Sequence, residues 1–355
     1  MRQYLGLKAT GKNGSAWMRL SDGSDGSNDR EKHTGSISAE AILAPALRTH
    51  PPAYTCFVSP LHMLKAIGFI AGLLFGSFLN VCIARLPRGE SVISPRSHCP
   101  HCHTPIRWYD NIPILSWMLL RARCRTCHAA ISPVYPVVEL AVGVWFAIAA
   151  SYIGRAETME VLIADISFAV VGFLLIGLIV MDWQTHLLPD AFTLTGIAIA
   201  LFLVCSQAIF LGPTEDQVLL RHKAPITAAM SVEKGNVFLT GPEALIGGRI
   251  VATLAAAGLL LLVRGAYKAL RGREGMGLGD VKLLAMIAAF LGFWPAILAL
   301  FLGVLTASFF AAFLLFRGRA TSATRLPFGS FLAAGGLAAS LFGTNIISAY
   351  ISLLR

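Results

Sequence analysis

Residues Gly275 to Trp294 read "GMGLGDVKLLAMIAAFLGFW". Alternate glycines lead into an acid, Asp280, and an almost wholly apolar run follows it. If that run is a membrane helix, a carboxylate at its mouth costs free energy and calls for a partner or a task.

The composition says that it is one. The chain has 355 residues, of which 55% are hydrophobic and 14% charged, and the mean hydropathy is +0.67. A soluble domain carries about 25% charged residues. Runs close to the roughly 20 residues that cross a bilayer occur at about eight places. They are Leu64–Ala84, Val134–Ser151, Val161–Met181, Ala191–Leu211, Ala244–Val263, Val281–Phe293, Ala296–Phe316 and Ser330–Leu354. The expected fold is an all-α polytopic membrane protein. Pro295 is read as a tight turn between the sixth and seventh runs, against the alternative of one long kinked helix.

The net charge of +10 does not indicate nucleic-acid binding, because its distribution follows the runs. Residues 85–136 hold seven Arg against two acids, Glu90 and Asp110. Residues 264–282 hold five basic residues and 317–325 hold three, whereas 212–243 holds three basic and four acidic residues. By the positive-inside rule the first three segments are cytoplasmic and the last is external, which eight crossings allow. Residues 1–62 are polar and without period, read as a disordered extension lacking a secretory h-region. Either they are native or the natural start is Met63.

Four of seven cysteines form two CxxC knuckles, Cys99 with Cys102 and Cys124 with Cys127, with 21 residues between the pairs. This spacing suits a zinc ribbon, since each knuckle presents two thiolates to a tetrahedral ion. The competing readings are a redox dithiol and thiols that bind nothing. Between the knuckles, "RWYDNIPILSWMLLRAR" could pack on the ribbon or lie on the membrane surface. Cys56, Cys82 and Cys205 receive no role.

A partner for Asp280 must be an acid at similar depth on the same side. Asp182, in "MDWQTHLLPD", ends the third run on that side, and Asp190 opens the fourth. Two carboxylates held close share a proton, so one can activate water while the other polarises a peptide carbonyl. Gly275, Gly277 and Gly279 would allow an extended peptide to approach. The bland alternative is helix capping, which suits Asp190 and Asp280 better than Asp182. Glu139 is a secondary candidate.

"GLGD" followed by "VKL", with "MDWQTHLLPD" upstream, resembles the bacterial type IV prepilin peptidase family of GxGD membrane aspartyl proteases. The stretches "FGSFLNVCIARLPRGESVISPRSHCPHC", "WYDNIPILSWMLLRARCRTCHAAISPVYPVVEL" and "LPFGSFLAAGG" resemble it too, so the likeness covers about 63–355. It implies cleavage of type IV prepilins or type II secretion pseudopilins after a Gly, at the cytoplasmic face of the bacterial inner membrane. Methylation of the new amino terminus from S-adenosylmethionine follows. The resemblance makes Asp182 and Asp280 catalytic, gives Cys99, Cys102, Cys124 and Cys127 to zinc, and places methyl transfer in 85–136. Runs, charge and these roles together divide the chain into a 1–62 extension, 63–84 first helix, 85–136 cytoplasmic four-cysteine domain and 137–355 protease core with external loop 212–243; the extension and the long 212–243 connection depart from the family's usual pattern. A proton-coupled transporter using the same acids as a relay is the alternative, but no internal repeat supports it.

Overall fold

The computed structural model describes residues 60–94, 96–211, 242–272, 276–318 and 326–353. The expectations for 1–59 and for 212–241 fall outside the described residues.

Helices make the whole frame. α1 (Pro60–Arg85) leads through a 3-10 turn into the cysteine loop, where a short α2 (Leu115–Leu119) sits. Then come α3 (Val134–Ile153), α4 (Met159–Thr185), α5 (Asp190–Phe210) and α6 (Pro242–Arg271). α7 (Leu278–Leu291), α8 (Phe293–Phe316) and α9 (Phe328–Leu353) complete it. All eight expected runs are helical. Six, α1, α3, α4, α5, α6 and α8, are long and apolar enough to cross a membrane by length and composition.

α7 has only 14 residues, but it lies inside protein rather than against lipid. Leu283, Leu284, Met286, Ile287, Ala288 and Ala289 are all fully buried, packed by α5, α6 and α9. A helix covered on all sides has no polar face to show, which accounts for its uniform apolarity.

The sixth and seventh runs are separate helices, as expected, but Pro295 does not make the turn. Gly292 does, at φ 93°, a conformation that L side chains rarely adopt. Pro295 sits in the first turn of α8, where a missing N–H costs no helical bond.

α1 and α3 approach unusually closely because Gly68, Gly72 and Gly76 form one face of α1 at four-residue spacing. A β-carbon on Gly72 would come within 2.6 Å of the Val142 carbonyl oxygen, and one on Gly76 within 2.7 Å of Glu139 Cα. In lipid, where burial adds little between helices, such close backbone packing holds them together. α1 begins at Pro60, three residues ahead of Met63.

Candidate active site and four-cysteine cluster

Asp182 lies in the last turn of α4, which runs on to Thr185 before His186 ends it in the left-handed region. An anion there opposes the dipole of its own helix. The structure answers this with another helix. Pro327 precedes α9, and the first-turn amide of Ser330 donates to Asp182 Oδ2 at 2.6 Å while also lying 3.2 Å from the Pro327 carbonyl. The Ser330 hydroxyl lies 3.0 Å from the same oxygen and 2.9 Å from the Ile179 carbonyl. Asp182 and Ser330 are buried.

Asp280 is the third residue of α7, and its carboxylate lies beside Gly277, the residue that caps the helix. That is where the capping alternative expects an acid.

α4 and α7 make slight direct contact, and each packs more extensively on α5 and α9, which carries the two acids toward one end of the bundle. Leu188, in the α4–α5 connection, is the wedge. β-Carbons on Gly279 and on Gly329 would meet it at 3.1 Å and 2.9 Å.

The glycines before Asp280 serve differently from the expectation. Gly277 has ordinary extended backbone, φ −73° and ψ 151°. Gly279 is small because Leu188 occupies the space beside it. Gly275 lies outside the described residues. Asp190 does not join the acid pair: its carboxylate takes the Lys282 Nζ at 2.6 Å, tying the start of α5 to the start of α7.

Sequence reading missed Ser330, Gly329, Leu188 and Lys282. "LPFGSF" carried the signal for the first two, since a Pro followed by a helix start leaves free amides.

The four cysteines come together, their sulfurs all within 4.8 Å of one another. Cys99 and Cys127 are 3.8 Å apart, Cys102 and Cys124 4.0 Å. A tetrahedral ion with bonds of about 2.3 Å requires sulfurs about 3.8 Å apart. The knuckles repeat each other. Cys99 N–H bonds Thr104 O and Cys124 N–H bonds Ala129 O, and His103 and His128 take matching left-handed turns. Thr104 hydrogen bonds lower Cys102 to about 6, and backbone amides of Cys127 and Thr126 lower Cys124. Thiolates are what a metal binds.

The segment between the knuckles divides between the two expectations. Trp117 donates to Ile131 O at 3.3 Å and Ser116 to Tyr109 O at 2.9 Å, both inside the loop. Trp108, Met118 and Leu119 are exposed. Asp110 receives Arg125 through two nitrogens, which holds its carboxyl below the usual carboxylate range. Glu139, the secondary candidate, is buried and accepts the Ile114 N–H at 2.8 Å. Ile114 takes φ 59°, a strained value for a β-branched residue, so Glu139 pins a tense point of the loop to the membrane core.

Fold and site together define a polytopic helical membrane protein with two acids toward one end of its bundle and a four-thiol cluster. The chain belongs to the type IV leader peptidase family. It matches the type IV leader peptidase family over residues 168–315 and the bacterial peptidase A24 N-terminal domain over 70–153. It is 32% identical to a prepilin leader peptidase/N-methyltransferase of Stutzerimonas stutzeri, over 81% of this chain and 93% of the relative. A protein of the same name from Burkholderia pseudomallei is 32% identical over 80% of this chain and 87% of its own length. One from Aeromonas hydrophila is 30% identical over 80% and 92%. No solved structure matches.

Proposed function

We propose that the chain is a prepilin leader peptidase and N-methyltransferase of the bacterial inner membrane, with its active site facing the cytoplasm. The observation that carries this is the convergence of Asp182 and Asp280 on one end of an apolar bundle, in a chain whose relatives bear that name.

The chemistry follows from the pair. Two carboxylates in one low-dielectric site ionise unequally. The ionised one takes a proton from a water, and the water oxygen attacks the scissile carbonyl. The protonated one gives its proton to the carbonyl oxygen. Collapse of the tetrahedral intermediate expels the amine, which takes its proton from the dyad. The substrates are type IV prepilins or pseudopilins, cut where the basic leader meets the apolar segment, after a Gly.

Zinc fits the four sulfurs and, when bound, would supply folding free energy to a loop with little core of its own. S-adenosylmethionine would supply an electrophilic methyl group to the new amino terminus. The exposed rings of Trp108 and Tyr109 suit an adenine face, and no residue is assigned as the methyl-transfer catalyst.

The test is co-expression with a prepilin, read by intact mass of the pilin. Wild type should yield pilin without its leader and with one added methyl group. Asp182→Asn and Asp280→Asn should each leave the leader in place. Normal processing by both variants would overturn the dyad and return these acids to capping or to a proton relay.

A further inference from the structure

Among the described residues, the side-chain hydrogen bonds to Asp182 arrive at one of its two oxygens. The Ser330 amide and hydroxyl both reach Oδ2, at 2.6 Å and 3.0 Å. The amide comes from the first turn of α9 and is shared, reaching Asp182 Oδ2 at 2.6 Å against the Pro327 carbonyl at 3.2 Å. The single hydroxyl proton has two acceptors within reach, Asp182 Oδ2 and the Ile179 carbonyl one turn back along α4, so the hydroxyl links the carboxylate to the helix that carries it. Ser330 is 4% exposed and Asp182 5%, so water does not compete for these bonds. Gly329 admits the contact, because a β-carbon there would stand 3.0 Å from Asp182 Cγ.

The two acids are therefore not equivalent. Asp280 lies in the first turn of its own helix, beside the capping Gly277. Asp182 is gripped from another helix, through one oxygen. We propose that Ser330 is a positioning residue of the dyad: it engages Oδ2 of Asp182 and leaves Oδ1 as the oxygen that takes the proton from the attacking water. Lys282 and Asp190, also at this end, are paired with each other.

This inference rests on the proposed dyad, and the experiment separates the two. Leader cleavage is measured on purified full-length protein with a prepilin, for wild type, Ser330→Ala, Ser330→Gly, Ser330→Thr and Asp182→Asn. Ala and Gly both keep the amide and lose the hydroxyl, so a defect that they share belongs to the hydroxyl. Each should lower kcat about tenfold with KM unchanged. Thr, which restores the hydroxyl, should return kcat to within about threefold of wild type. Methylation of a pilin already cleaved should stay at the wild-type rate in all of them, as the check on folding. Wild-type kcat in Ser330→Ala, or a loss that Thr does not restore and methylation shares, overturns the positioning role while Asp182→Asn remains inactive. Cleavage by Asp182→Asn overturns the dyad itself.

Discussion

A β-carbon on Gly329 would stand 3.0 Å from Cγ of Asp182, closer than almost any real side-chain contact, and 2.9 Å from Leu188 Cδ1. The first turn of α9 thus rests against the carboxyl with nothing between. Asp182 keeps its place because position 329 has no side chain.

Gly329→Val is expected to displace the Asp182 carboxyl by several tenths of an ångström or more. A misplacement near 1 Å at a reacting group costs about 100-fold. Leader cleavage should fall by about that factor, measured by intact mass of co-expressed pilin. Methylation of a pre-cleaved pilin should persist. Wild-type cleavage would show that α9 can recede without moving the acid.

The Lys282–Asp190 pair is half exposed, with side chains 32% and 61% accessible. Such pairs contribute about 0.5 kcal/mol, a factor of two to three. Lys282→Ala and Asp190→Ala should each lower cleavage by about that factor and no more. The double exchange Lys282→Asp with Asp190→Lys should recover most of it. Failure of the exchange, with both single losses intact, would mean that each residue acts alone.

Removal of the zinc proposed for the four cysteines should act on the loop first. Chelation, or Cys102→Ser, should release about one zinc per chain, read by elemental analysis. It should increase amide exchange across residues 97–131 and impair methylation before cleavage. If chelation abolishes cleavage while the helical signal is unchanged, the cluster serves the protease step and is not a loop staple.

Gly72→Val should separate α1 from α3, since its β-carbon would meet the Val142 carbonyl at 2.6 Å. A clash with backbone cannot be relieved by a rotamer change, and destabilisation of about 2 kcal/mol is expected. Thermal unfolding in detergent measures it. Gly258→Ala, at a position with nothing within 4 Å, is the control and should melt like wild type.

Some of this was open to the sequence because it is local. Apolar run length and turn chemistry set the helices, and all eight runs fold as helices, α7 short because it is sheathed in protein. The CxxC spacing foretold the thiol cluster, since two knuckles and one ion leave few arrangements. The motifs around Asp182 and Asp280 marked them as a pair.

Other features were not local, and the sequence was silent or misleading about them. Pro295 drew the turn to itself, although Gly292 makes it, because a positive φ is needed there and only tertiary packing fixes where. Asp280 and Asp182 lie on helices that touch slightly and share α5 and α9 as neighbours, a placement that no motif records. The sequence by itself determined which segments are helices and which thiols cluster, because these follow from composition and spacing along the chain. Only the tertiary structure decided that Ser330, 148 positions from Asp182, grips one of its oxygens, and that Lys282 removes Asp190 from the pair. Those contacts arise from the approach of helix ends distant in the chain, and no periodicity records which ends will meet.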